Sequence, residues 1–223
     1  MKIEMGESLI YSWLRRIKKC QIVQTNWKIS TNWGLKNKNE IETLKNKTEN
    51  LFKNKEEYIY EIYKKNSSCD QMIEQGECDA IGMSMENNKI YAVDIAFHES
   101  GLNYGSREKT VAKILEKSLR TAMCLYGYMD FKDAEIIFAS PKINESVLDD
   151  INPLWDKMQS EMNKMNNLNC NFKFSLIANK GFKKDILTPV LNISDKVTDT
   201  NELFLRSYQM LNLFPAEKEP KPC

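Results

Sequence analysis

The chain has 223 residues, 42% of them apolar and 28% charged, with 32 lysines and arginines against 31 acids and a net charge of +1. This length supports one good-sized core rather than two full domains. The absence of an 18-residue apolar run or a basic-then-apolar leader speaks against a membrane span or signal peptide, so a cytoplasmic protein is expected. Six widely spaced cysteines without a CxxC pair, and a single histidine, argue against zinc ligation and for reduced, buried thiols. The charge is uneven: residues 1–68 hold 14 basic residues against 8 acids, the remainder 18 against 23. The first third is therefore the candidate phosphate-facing surface, with Arg15, Arg16, Lys18 and Lys19 as its nucleic-acid contacts, although lysine- and asparagine-rich stretches such as NKTENLFKNKEE also read as compositional bias.

In chain order, residues 4–19 read as a helix, with Leu9, Ile10, Trp13, Leu14 and Ile17 at helical spacing and Glu7 near its start. Residues 23–35 lack a clear period and read as loop or extended chain. Residues 38–65 return to an amphipathic helical pattern, so 20–68 reads as a helical insertion after the first helix. Gln71–Gln75 reads as a short strand, Cys78–Met85 as a second and Lys89–Phe97 as a third, joined by a turn at 86–88. Ser106 is placed to cap a helix to about Tyr126. Glu135–Ser140 reads as a buried strand, and Asn152 with Pro153 as the start of a helix to about Asn167. Phe172–Ala178 reads as a strand, Phe182–Leu191 and Asn201–Phe214 as helices, and residues 216–223 as a disordered tail. Met158, Met162 and Met165 suit a core or a homodimer face. Trp13, Trp27 and Trp33 read as core before base-stacking groups.

The chemistry concentrates between Glu77 and His98, ECDAIGMSMENNKIYAVDIAFH. Residues two apart on a strand share a face, so Asp94, Ala96 and His98 project together. Hairpin pairing would bring Asp79 towards Asp94, and two carboxylates that close repel unless a cation bridges them. Mg²⁺ or Mn²⁺ prefers such oxygen ligands and activates water for attack on a phosphodiester. Acids that are simply solvated on an edge strand, or paired with lysines of the next helix, are the plainer alternative. No GxSxG, GxGxxG or GxxxxGK[ST] motif occurs.

Gly6 and Glu7 on the first helix, Asp79 followed by Ala80, Ile81 and Gly82, and the block YAVDIAFH resemble the PD-(D/E)xK pattern of restriction-endonuclease-like nucleases. The resemblance implies an α/β fold with an αβββαβ core, a mixed central sheet flanked by helices, and metal-dependent hydrolysis of DNA. It implies that Asp79 and Asp94 hold Mg²⁺ or Mn²⁺ and that Glu7 completes or orients the shell. The family's lysine falls at Ala96. His98, on the same strand face, or Lys109 and Lys113, four apart on the next helix, are the candidate substitutes, with Lys117 and Arg120 roughly extending that side. The rival readings are a decayed nuclease-fold module that binds DNA or a protein, and a small-molecule metal-dependent phosphohydrolase on an unrelated fold.

Overall fold

A computed structural model describes residues 5–30, 32–53, 62–63, 68–131, 133–164, 170–198 and 200–214. Its centre is a five-stranded mixed sheet in the order β1-β2-β3-β4-β5, formed by Ile22–Lys28, Glu77–Ser84, Lys89–Ile95, Asp133–Ser140 and Asn171–Ala178. The first three strands form an antiparallel meander, and β4 and β5 continue parallel to β3. Parallel neighbours need a crossover. Helix α4 (Arg107–Tyr128) supplies it between β3 and β4, and α5 (Glu145–Asn163) between β4 and β5.

Alternation along β3 divides the core into two layers. Ala92 and Ala96 face the larger apolar cluster, which includes Ile114, Leu115 and Leu119 of α4 and Ile151, Leu154 and Met158 of α5. Tyr91 and Val93 face the smaller cluster, built with Leu9, Ile10 and Trp13. Those last residues come from α1 (Met5–Ser12) and the π-helical turn that continues it over Trp13–Ile17. Both faces of the sheet are therefore covered, which is why YAVDIAF reads as a nearly continuous apolar run.

Several elements differ from the sequence reading. The first strand, Ile22–Lys28, falls where residues 23–35 read as loop or extended chain, within the span 20–68 read as a helical insertion; the helix described in that span is α2 (Lys38–Phe52), and α3 (Cys69–Glu74) follows it. Of residues 71–75, read as a strand, 71–74 belong to α3 and Gln75 is its C-cap. The Ser68 hydroxyl accepts from the Gln71 amide and caps that helix, and Met72 and Ile73 bury its apolar side. Helix α5 begins at Glu145 rather than Asn152, because Val147 already joins the buried stripe that continues through Ile151, Leu154 and Met158. Pro153 is accommodated inside it. Helices α6 (Asn179–Phe182) and α7 (Thr188–Ile193), joined by a π-helical turn over Lys183–Leu187, occupy the region read as one helix. Helix α8 (Leu203–Asn212) packs on α1. The tail 216–223, Met165 and residues 54–61 of the amphipathic pattern lie outside the described residues. Met158 and Met162 are core, as are Trp13 and Trp27, while Trp33 is exposed. Five described cysteines are free thiols. Among the described residues no helix is long and apolar enough to cross a membrane.

Candidate active site

The sheet register carries the acids towards one another. Ala80 pairs with Val93, so the next step of the same antiparallel register sets Asp79 opposite Asp94. Asp79 Oδ2 accepts a hydrogen bond of 2.7 Å from the Ile95 amide, which ties its side chain to β3. Asp94 lies on the α4 face of β3 and is 2% exposed.

Helix α4 answers Asp94 with two side chains one turn apart. Thr121 Oγ1 donates to Asp94 Oδ2 at 3.1 Å, and Lys117 Nζ stands 3.6 Å from Oδ1. Positions four apart on a helix share a face, and here that face addresses a single carboxylate. The Lys117 contact is ionic and too long for a hydrogen bond. Oδ1 is accordingly a buried carboxylate oxygen with no hydrogen-bond partner. Such an oxygen is costly unless a water or a cation meets it.

The crowding shifts the titration of all three groups. Burial, then the Asp94 charge, pushes the Asp79 carboxyl up to about 6, against partial relief from Lys117 and the Ile95 amide. Burial also raises Asp94, with Lys117 and Thr121 opposing it. Burial lowers Lys117, but the charges of Asp94 and Asp79 more than offset this, and the ammonium ends above its ordinary value.

Glu7 joins from the other side of the sheet. It lies in the first turn of α1, is 8% exposed, and its Oε2 accepts from the Asn26 side-chain amide at 2.7 Å. A methyl at Gly6 would come within 3.2 Å of the Ile95 side chain, so glycine lets this helix start approach the end of β3. The Glu7 charge adds to the forces that raise Asp79.

The remaining candidates sit elsewhere. His98 is exposed beyond the end of β3, its ring edge-on to Tyr104 at 6.2 Å between centroids. Burial raises the Tyr104 hydroxyl, with Lys117 opposing the shift and the charges of Asp94 and Asp79 adding to it. Lys109 is exposed on the first turn of α4, and Lys113 pairs with Glu116 at 2.7 Å. The lysine that meets the acids is thus Lys117, and not the Lys109 and Lys113 pair singled out from the sequence. Of the four basic residues at the end of the first helix, Arg15 and Arg16 reach the buried Glu202, with Arg16 at 2.7 Å and Arg15 at 3.9 Å. Lys18 lies over the rings of Trp13 and Tyr91, and Lys19 is exposed.

Among the described residues no group of three or more His, Cys, Asp or Glu side chains is gathered closely enough to enclose a metal ion. The donor set fits a more open site. Mg²⁺ is commonly held by one or two carboxylates, with water and substrate phosphate completing its shell. Asp79, raised by burial and by its neighbour, and Asp94, whose Oδ1 faces Lys117 at 3.6 Å without a hydrogen bond, are the two carboxylates such a site would use.

No family model, no curated protein and no solved structure matches this chain.

Proposed function

We propose that this protein is a divalent-metal-dependent nuclease of the PD-(D/E)xK type that hydrolyses DNA phosphodiester bonds, with Lys117 in place of the lysine missing at Ala96. The observation that carries this reading is the ion pair of Lys117 with the buried Asp94, one strand away from Asp79. The order α1, β1, β2, β3, α4, β4, with α2 and α3 inserted between β1 and β2, and the antiparallel-then-parallel sheet support a restriction-endonuclease-like core.

Asp79 and Asp94 would hold Mg²⁺ or Mn²⁺, which would supply Lewis acidity for water activation and for the charge developing on the phosphate. Lys117 has three N–H donors and no acceptor while charged. It is therefore the group that orients the attacking water and a non-bridging phosphate oxygen, and its fixed charge favours the more negative transition state. Glu7, held by Asn26, adds a carboxylate that accepts a hydrogen bond from that water. The new bond joins water oxygen to phosphorus, the bond to the sugar oxygen breaks, and the sugar oxygen takes up a proton while the water's proton passes to solvent.

The test is incubation of the purified protein with duplex, branched and single-stranded DNA in Mg²⁺ or Mn²⁺. Cleavage of at least one substrate, abolished by Asp94→Asn, is expected. Inertness on all three with either metal overturns the reading, and retained DNA binding in that case identifies a binding module.

A further inference from the structure

We infer that Asn26 is a positioning residue of this site, holding the Glu7 carboxylate in place for the metal and water beside Asp79. The inference rests on the nuclease reading. It arises from a break in a strand that is otherwise regular.

In β1, Thr25 pairs with Ala80 and Trp27 pairs with Cys78. Asn26 lies between them, opposite Asp79 in the same register, and is absent from the paired positions. Its φ is +51°, a left-handed conformation in the middle of a β-strand. Asparagine is among the few residues other than glycine that adopt this region readily. The cost is a lost place in the ladder at the one position of β1 that faces an acid of the site. Departures of this kind gather at functional sites, where the surrounding structure enforces them.

The side chain has a definite task. Its Nδ2 donates to Glu7 Oε2 at 2.7 Å, bridging β1 to α1 across 19 residues of sequence. A carboxylate only accepts, so the amide nitrogen must face Glu7. The bond occupies one Glu7 oxygen and fixes the rotation of the group. Glu7 itself is nearly buried and close enough to Asp79 to raise its pKa. A carboxylate held this way is a preorganised acceptor for water beside the metal, and loss of such outer partners commonly weakens metal binding by about 10- to 100-fold.

The test is Mn²⁺ binding to the full chain, read by electron paramagnetic resonance, beside cleavage kinetics and thermal unfolding. Asn26→Gly keeps the positive φ without strain and removes only the amide. It should unfold near the wild-type temperature, bind Mn²⁺ about tenfold or more weakly, and lower kcat with the KM for DNA unchanged. Asn26→Asp, of the same size, sets a second carboxylate against Glu7 and should weaken binding further. A wild type that binds Mn²⁺ without cutting DNA leaves this inference testable by binding alone and overturns only the nuclease reading. Wild-type Mn²⁺ affinity in both variants, or a fall in thermal stability as their only effect, overturns the inference. A wild type that binds no Mn²⁺ overturns both.

Discussion

Lys117 Nζ stands 3.6 Å from Asp94 Oδ1, and through this contact α4 provides a cation on the strand face where the local sequence provides Ala96. The same contact makes the site a stability liability whenever one partner is lost.

Removing the cation leaves a buried carboxylate with the Thr121 hydrogen bond as its remaining close partner. Lys117→Met should therefore destabilise the metal-free protein at pH 7.5 by about 3 kcal/mol, in the range for breaking one side of a buried pair. The Lys117→Met/Asp94→Asn double variant should recover part of that loss. Urea unfolding of the four proteins of this cycle measures the coupling.

The raised Asp79 carboxyl gives stability a pH dependence of definite sign. Its folded pKa of about 6 lies above the ordinary 3.8, so between these values the folded state holds more protons than the unfolded one. Stability of the metal-free protein then falls as pH rises from about 4 through 6. The contribution from this group is at most about 3 kcal/mol, at 1.36 kcal/mol per unit. Asp79→Asn should flatten the profile, and Mg²⁺ should raise stability most above pH 6, where Asp79 is ionised. Melting temperature against pH, with and without Mg²⁺, is the measurement.

Arg15 and Arg16 predict a structural effect before a DNA-binding one. Glu202 is 3% exposed and held by Arg16 at 2.7 Å, and its other carboxylate oxygen has no partner. Arg16→Glu should set two carboxylates together, cost about 3 kcal/mol or more, and release α8. Hydrogen exchange in residues 203–212 should rise accordingly. Lys19→Glu, at an exposed position, should leave that exchange unchanged and serves as the cleaner probe of DNA binding and its salt dependence.

The legible parts of the fold were those in which burial imposes a period. YAVDIAF and EIIFAS announced β3 and β4, and Ser106 announced the start of α4. The edge strand β1 was legible only as loop or extended chain, because IVQTNWK alternates weakly and its left-handed Asn26 interrupts the ladder. Residues 71–75 misled for the opposite reason: a short apolar pair, Met72 and Ile73, fits a strand or one turn of helix equally. At the site, Glu7, Asp79 and Asp94 were legible as acids in apolar or helix-start settings. Lys117 was visible on the face of Lys109 and Lys113 but not distinguishable from them. Lys109 and Lys117 differ by about 12 Å along the helix axis at 1.5 Å per residue, and only the packing of α4 on β3 decides which one reaches Asp94. The spacing of Lys117 and Thr121 was the available signal, since a cation and a hydroxyl four apart can grip one carboxylate.

DNA cleavage by the wild type, Lys117→Ala and Lys113→Ala in Mn²⁺ tests the proposed replacement of the family lysine, absent at Ala96, by Lys117. Lys113→Ala should cut at the wild-type rate, and Lys117→Ala should lose about 100-fold or more, on the scale of removing one preorganised charge-stabilising group. Equal rates for Lys117→Ala and the wild type, or a loss confined to Lys113→Ala, would contradict it.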